Sequence, residues 1–218
     1  DFSQLRPAGA RLKTMGGKSS GPEPLRQLLT FTRERILKRQ SKRLSNLDAH
    51  DIICKIGEIV VSGGVRRSAL ISLSDLDDSD IRDAKKGLFW ITDPQRSLAN
   101  NSAVYTEKPS AQEFLAEWTA LVQAGTGERG IFNRGGLKTT MPERRKKISA
   151  AHFDQFGTNP CGEIILRPKQ FCNLSEVIAR ADDTEATLLQ KIRIATILGT
   201  YQSTLTKFRY LSDEWRQN

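Results

Sequence analysis

The sequence predicts an α/β fold, because segments with helical periodicity alternate with short apolar runs along the 218 residues. Three observations carry this prediction. Capping-box signatures open helices at Ser45 and Ser110. An alternating run at 68–73 is typical of a strand, and Gly87 follows a segment that is acidic at its start and basic at its end.

The first 73 residues predict a loop, two helices and a strand. Residues 1–21 are rich in glycine, and a helical stripe follows from Leu25 to Ile36. A second helix begins after Ser45, with Asp48 three positions on, and contains Cys54, which we interpret as a buried structural thiol. The expected inward face of this helix consists of Ile52, Ile53, Ile56, Ile59 and Val60.

The rest of the chain continues the alternation. A short helix is predicted within 75–86 with Lys85 in its last turn, then a buried strand within 97–106 and a helix after Ser110. Residues 125–147 are interpreted as a glycine-rich bend and a basic loop. A strand at 163–166, a possible strand near 172–178 and a long helix from Asp183 or Thr184 complete the prediction.

Composition limits the function classes. The net charge of +9 is concentrated, with 11 Lys/Arg against 4 Asp/Glu in residues 1–50 and 6 against 1 in residues 134–147. Such clusters favour phosphate-bearing partners, although a solvated basic face is an equally good interpretation of each. Three cysteines and two histidines at wide spacing predict neither a disulfide framework nor a metal site. We expect a cytoplasmic protein with no membrane partner and, because it opens with Asp1, a section of a longer polypeptide.

Two glycine-rich stretches are candidate phosphate-binding loops. In "KTMGGKSSGPEPL", glycines at a helix N-terminus can expose N–H groups to an anion, although the Walker spacing is absent and an ordinary tight loop is also possible. In "VVSGGVRRSALI", a glycine hinge carries two guanidinium groups, and a helix C-cap with solvated arginines is the alternative. The candidate residues are Gly16, Gly17, Lys18, Ser19, Gly63, Gly64, Arg66 and Arg67.

The stretch "TNPCGEIILRPKQFCNLSEV" carries the candidate chemistry. Cys161 lies in a proline–glycine turn, where a thiol is held away from the core, and Glu163 follows two residues later. If strand geometry extends back through the turn, both side chains point the same way. A thiol and a carboxylate so placed can transfer hydrogen atoms or protons on one small substrate.

Five stretches together resemble the adenosylcobalamin-dependent (class II) ribonucleotide reductases, particularly the monomeric ribonucleoside-triphosphate reductase type. They are "LRPAGARLKTMGGKSSGPEPL", "GEIVVSGGVRRSALISLSD", "QRSLANNSAVY", "GERGIFNR" and "NPCGEIILRPKQFCNLSEV", in order between residues 5 and 177. The resemblance implies a thiyl radical on Cys161, a proton acceptor at Glu163, and Asn159 bound to the sugar hydroxyls. Cys172 would be one of two thiols that deliver reducing electrons.

The resemblance also implies an architecture and partners. We expect part of a ten-stranded α/β barrel with a central finger loop, divided into an effector-loop region (1–73) and a section carrying the radical cysteine (74–218). Expected partners are a ribonucleoside triphosphate, a deoxynucleotide effector, a thioredoxin-type reductant and the remainder of the enzyme, where the main adenosylcobalamin contacts would lie. The competing hypothesis is a non-catalytic basic module for nucleotides or nucleic acid, but aromatic residues do not interleave with the basic clusters.

Overall fold

A computed structural model describes residues 1–13, 16–64 and 67–217 of the chain. The chain forms two compact units, Asp1–Asp154 and Gln155–Asn218. The division near residue 73 that the family resemblance implies stays a prediction.

Two long helices open the first unit. Helix α1 (Glu23–Lys38) has Pro22 at its N-cap, with no side-chain cap, and follows the first glycine-rich loop directly. Helix α2 (Asn46–Val61) begins at the predicted capping box, in which Ser45 and Asp48 bond each other's backbone N–H groups. Both predicted helices are confirmed, α1 from its apolar periodicity and α2 from its capping box.

The prediction of the inward face of α2 is wrong. Ile53, Ile56 and Val60 are exposed, although the apolar stripe indicated that they would be buried. The buried side of the helix is mostly polar or small, and it consists of Asp48, His50, Asp51, Cys54 and Gly57. These polar groups tolerate burial because ion pairs and hydrogen bonds from other elements satisfy them.

A three-stranded parallel sheet forms the centre of the first unit. Strand β1 (Leu70–Ser74) pairs with β2 (Ala99–Val104), and β2 pairs with β3 (Gly130–Phe132). Leu70 lies opposite Ala99, and Ser102 lies opposite Gly130. The middle strand β2 is almost entirely buried. The first two strands were predicted, whereas β3 falls in the stretch interpreted as a bend and a loop.

Short helices and one longer helix connect and follow these strands. Helix α5 begins at the predicted capping box of Ser110 and Glu113 and ends at Gly125, which has a left-handed φ of 66°. The elements are α3 (Ser79–Arg82), α4 (Phe89–Thr92), a 3-10 helix (Pro94–Leu98), α5 (Ala111–Ala124), α6 (Leu137–Thr140), α7 (Glu143–Ser149) and a 3-10 helix (Ala150–Gln155).

A network of buried ion pairs fastens α1 and α2 to the 3-10 helix at 94–98. Asp51 is fully buried and accepts two hydrogen bonds from the Arg96 guanidinium, at 2.6 Å and 2.8 Å. Arg35 of α1 lies 3.2 Å from Asp51 and 3.1 Å from Asp93. Burial opposes ionisation of Asp51, but the hydrogen bonds from Arg96 and His50 hold the pKa of this carboxyl well below its usual range.

A second buried cation joins the sheet to the segment before β3. Lys85 was predicted in the last turn of a short helix, but it lies beyond the end of α3 and is 5% exposed. Its ammonium donates to the Glu128 carboxylate at 2.7 Å and to the Ala99 carbonyl. The other Glu128 oxygen accepts from the Asn101 N–H at 2.8 Å, so this cluster ties β2 to the start of β3.

The second unit holds a small antiparallel hairpin and a long helix. Strand β4 (Gly157–Thr158) pairs with β5 (Ile165–Leu166). Helix α8 (Glu185–Ser203) begins after Thr184, whose side chain accepts from the Thr187 N–H, and the short helix α9 (Glu214–Gln217) follows. The start of α8 confirms the prediction. Residues 172–178 belong to no strand, so the possible strand there is absent from the described chain.

The described chain is therefore α/β with a small parallel sheet, as predicted at that level. In the portion that the structure describes, no helix has the length and apolar character needed to cross a membrane.

Candidate active site at the tip of a short hairpin

The hairpin β4–β5 displays the cysteine loop, which we define as residues 159–164. Asn159 and Ile164 close this loop through their backbones, since the Asn159 N–H donates to the Ile164 carbonyl at 3.1 Å. The Gly162 N–H donates to the Asn159 carbonyl at 3.0 Å. Gly162 has a φ of 89°, a left-handed conformation that favours glycine. These bonds hold the loop in one shape.

Cys161 and Glu163 lie at the exposed tip of the cysteine loop. Glu163 belongs to a bend, because the strand expected from residue 163 begins at Ile165. Regular strand alternation therefore does not relate the two side chains, and the turn itself sets their positions. The loop still presents a free thiol and a carboxylate two residues apart, on a hairpin-supported turn without packed cover.

Asn159 is the buried residue of the loop, with 6% exposure. Its side-chain oxygen Oδ1 accepts a hydrogen bond from the Ile164 N–H at 3.0 Å, and Thr158 Oγ1 lies 3.3 Å away from the same oxygen. The amide oxygen thus holds the loop closed.

Cys172 lies in the same unit and interacts with the cysteine loop. Its thiol is free and half-buried. Burial raises the pKa of the Cys172 thiol, and the nearby charges of Glu163 and Cys161 raise that pKa further. Two thiols and a carboxylate therefore share one electrostatic environment. Asn159 orders the loop that carries Cys161 and Glu163.

The two predicted phosphate loops come together in the first unit. Residues 9–13 and 16–19 lie side by side as in a hairpin, since the Ser19 N–H donates to the Ala10 carbonyl at 2.8 Å and an isolated β-bridge pairs Arg11 with Lys18. Gly63 lies beside this loop, since a Cβ added there would come within 3.5 Å of the Lys18 carbonyl oxygen. The second loop therefore approaches the first through a residue without a side chain.

The predicted loop residues have distinct environments. Gly16, Gly17 and Lys18 are exposed, and the glycines have φ values of 70° and 78°. Ser19 is half-buried, and its hydroxyl accepts from the Gly21 N–H at 3.1 Å. Gly63, Gly64 and Arg67 are exposed at the end of α2 and beyond it. Arg66 lies outside the described residues.

Sequence reasoning missed two groups of side chains. In the first unit, His50 Nε2 lies 3.0 Å from Asn101 Oδ1, and the Cys54 sulfur lies 3.7 Å from His50 Nδ1. Burial disfavours the imidazolium, but hydrogen bonds with Asp51 and Cys54 raise the pKa of His50 to about 9. The second group is aromatic, with Phe171 against Phe208 and Trp215. The burial of Cys54 confirms the prediction of a structural thiol, whereas nothing local marks His50 and Asp51 as buried.

In the described part of the chain, no three His, Cys, Asp or Glu side chains are grouped so that they could hold a metal ion. The three thiols are free, and Cys54 is 1% exposed on α2.

Comparison with known proteins gives consistent matches. The adenosylcobalamin-dependent ribonucleoside-triphosphate reductase of Lacticaseibacillus paracasei is 36% identical over 180 residues, which cover 81% of this chain and 23% of the relative. The enzyme of the same name from Lactobacillus delbrueckii subsp. bulgaricus is 34% identical over 195 residues, covering 88% of this chain and 25% of the relative. That of Lactobacillus acidophilus is 36% identical over 183 residues, with 81% and 23% covered. No protein-family model and no solved structure significantly matches the chain.

The cysteine loop and these matches define the chain as a relative of the ribonucleotide reductases. More particularly, it is similar to adenosylcobalamin-dependent ribonucleoside-triphosphate reductases, and it spans 23–25% of the length of the relatives described above. The family resemblance predicted from the five sequence stretches is thereby confirmed.

Proposed function

We propose that the chain supplies the thiol-bearing section of an enzyme that reduces ribonucleoside triphosphates to 2′-deoxyribonucleotides with adenosylcobalamin. The observation that carries this proposal is the cysteine loop, where Cys161 and Glu163 are exposed together. The charges of both groups raise the pKa of the Cys172 thiol. The names of the curated relatives give the reaction class. Because the chain spans about a quarter of those relatives, the rest of the enzyme is a required partner.

The exposed thiol suits a hydrogen-atom carrier. Adenosylcobalamin, when bound, supplies the one-electron chemistry that turns a thiol into a thiyl radical. The main contacts to adenosylcobalamin would come from the rest of the enzyme, and the exposed Cys161 thiol at the tip of the cysteine loop fits a group that must be reached from outside. The Cys161 thiyl would take the hydrogen atom from C3′ of the ribose and form an S–H bond.

The carboxylate and the amide would then act on the same sugar. Glu163 would accept the proton of the 3′-OH, and the 2′-OH would leave as water after protonation. Asn159 would offer its Nδ2 donor to a sugar hydroxyl, since its Oδ1 is engaged by the Ile164 N–H. Later return of the hydrogen atom from Cys161 to C3′ restores the thiyl.

Cys172 would supply one of the two reducing equivalents. Two thiols lose two electrons and two protons and become a disulfide, while the ribonucleotide loses its 2′ oxygen as water. The second thiol would come from outside these residues, because Cys54 is buried on a helix. A thioredoxin-type dithiol would reduce the disulfide by exchange and reset the site.

The sheet is compatible with a place in the ten-stranded barrel implied by the family. Among the strands that the structure describes, β1 and β3 each pair on one side only, and exposed large apolar side chains lie on α2, α5 and α8. Unpaired edges and apolar helix faces favour coverage by further strands and helices. The central position of the cysteine loop within such a barrel is part of the same proposal.

The paired loops of the first unit would take the deoxynucleotide effector. Lys18 and Gly63 are close, and Lys18 and Arg67 supply exposed positive charge for a triphosphate. Arg66 is included from its sequence position. Because α2 ends where the second loop begins, an effector that moves this loop could bias the site that reads the substrate.

The test uses the complete polypeptide that carries these residues. Supplied with adenosylcobalamin, a ribonucleoside triphosphate and a dithiol reductant, it should form the 2′-deoxyribonucleotide. Cys161→Ser should abolish product while deoxynucleotide binding persists, and Cys172→Ser should stop repeated turnover. Cys54→Ser is the matched control and should retain turnover. Product formation by Cys161→Ser would place the radical carrier elsewhere.

A further inference from the structure

Three aromatic rings join the end of the described chain to the residue that precedes Cys172. The Phe171 ring centroid lies 4.8 Å from that of Phe208 and 4.9 Å from that of Trp215, with interplanar angles of 44° and 38°. Phe208 and Trp215 belong to the C-terminal segment, which we define as residues 204–217.

Polar contacts reinforce the same attachment. The Lys169 ammonium forms an ion pair with the Glu214 carboxylate, one residue before Trp215. The turn that carries Lys169 is itself ordered, because the Arg167 N–H donates to the Gln170 side chain at 2.8 Å. The C-terminal segment thus contacts residues 169 and 171, on the approach to Cys172.

The position of Cys172 depends on such contacts because no strand or helix contains it. Residues 171–180 lie outside regular secondary structure in the described chain, so no sheet ladder fixes the backbone at the thiol. The residue before the thiol is Phe171, whose ring is held by two others. Anchoring this side chain restricts the backbone at its neighbour.

We propose that Phe208 and Trp215 are positioning residues that, through Phe171, hold the Cys172 thiol beside Cys161 and Glu163. The inference rests on the proposed function only in assigning Cys172 the role of a reducing thiol. The positioning itself is a property of the 218-residue chain. Its consequence is that the C-terminal segment controls the reactivity of the Cys172 thiol.

Release of the anchor has a defined chemical effect. Burial and the charges of Glu163 and Cys161 raise the pKa of the Cys172 thiol. If Phe171 loses its two ring partners, the thiol can leave this environment, and its pKa should fall towards the ordinary value. At a pH below that value more thiolate is present, and the thiolate is the species that reacts with an alkylating agent.

The experiment measures iodoacetamide alkylation of each cysteine in the full 218-residue chain by mass spectrometry, across a pH series. Trp215→Ala should move the Cys172 profile to lower pH and raise its rate about twofold or more near neutral pH. The Cys161 profile should stay in place, and Trp215→Phe should restore the Cys172 profile. Tyr210→Ala is the control, because Tyr210 lies in the same segment and is 95% exposed.

Two results would overturn the proposal. One is a Cys172 profile in Trp215→Ala that matches the unchanged chain, and the other is an equal shift in Tyr210→Ala. If circular dichroism shows that Trp215→Ala fails to fold, Phe208→Leu replaces it, since leucine keeps apolar volume but loses the ring contact. The same shift is then expected, and its absence contradicts the anchor.

The alkylation result is independent of catalysis. A shifted Cys172 profile in a chain whose complete enzyme reduces no ribonucleotide supports the anchor and contradicts the proposed function. An unshifted Cys172 profile in a chain whose complete enzyme reduces ribonucleotides contradicts the anchor and supports the proposed function. In the complete enzyme, Trp215→Ala should lower multiple-turnover kcat in proportion to the loss of Cys172 reaction, with KM for the ribonucleotide unchanged.

Discussion

Removing the Asp51 carboxylate should destabilise the first unit far more than removing an exposed carboxylate. Asp51 is fully buried and is held by two hydrogen bonds from Arg96 and an ion pair with Arg35. Asp51→Ala would leave the buried Arg96 guanidinium and the partly exposed Arg35 guanidinium without this partner. Breaking a buried pair in this way costs about 3–5 kcal/mol.

The expected loss is large enough for a direct measurement. For a chain of this size each kcal/mol lowers the melting temperature by about 2–4 °C, so Asp51→Ala should lower it by roughly 6–20 °C. Urea unfolding followed by far-ultraviolet circular dichroism gives the free energy of unfolding. Asp83→Ala is the matched control, because its partner Arg82 lies 3.1 Å away at the surface. The control should cost no more than about 1 kcal/mol.

Equal losses in the two variants would refute the reasoning. They would mean that burial does not determine how much the Asp51–Arg96 pair contributes to the free energy of unfolding. They would also mean that the network does not fasten α1, α2 and the 3-10 helix at 94–98. A double variant that replaces Asp51 by leucine and Arg96 by methionine separates the loss of the ion pair from the cost of leaving a buried charge without its partner. It should recover much of the loss, since the buried Arg96 charge is removed as well and Arg35 keeps Asp93 at 3.1 Å.

Two further predictions concern single side chains. Asn159→Ala removes the acceptor of the Ile164 N–H and should cost about 1–3 kcal/mol in urea unfolding, whereas Asn159→Asp keeps the acceptor and should cost less; equal losses would contradict the role of Oδ1. The pKa of His50, raised to about 9 from 6.5, gives stability that is complete below about pH 6.5 and lost as the pH rises through about 9. His50→Gln should flatten this decline, and an unchanged pH dependence would contradict it.

Local signals made much of the fold predictable. The capping boxes at Ser45 and Ser110 lie within four residues of the helix starts that they specify, so the starts of α2 and α5 could be inferred without a partner element. Strand β3 could not, since its three residues acquire strand geometry only by pairing with β2. Short segments of this kind carry too little pattern to separate a strand from a loop.

The inward face of α2 shows where periodicity misleads. Counting apolar residues favours Ile53 and Ile56 as buried, but Asp51 and His50 occupy that role because their partners, Arg96 and Asn101, come from distant elements. No pattern in the sequence near α2 predicts that Arg96 and Asn101 are the partners. A helix whose polar side is buried and whose apolar side is exposed is consistent with further coverage by the rest of a larger enzyme.

The candidate site was predictable in part for the same reason. The Asn-Pro-Cys-Gly-Glu stretch specifies a turn, and its exposed thiol was inferred from that turn alone. The interaction of Cys172 with Glu163 and Cys161 depends on how residues 167–172 return to the loop. The aromatic anchor of Phe171 depends on residues more than thirty positions later in the chain, and no spacing rule joins them.

The central claim is that Cys161 takes the hydrogen atom from C3′ of a ribonucleoside triphosphate. The most direct measurement compares the complete enzyme acting on substrates with hydrogen or deuterium at C3′. The account predicts slower reduction of the deuterated substrate and no reduction of either by Cys161→Ser. Equal kcat/KM for the two substrates, together with product formation by Cys161→Ser, would contradict it.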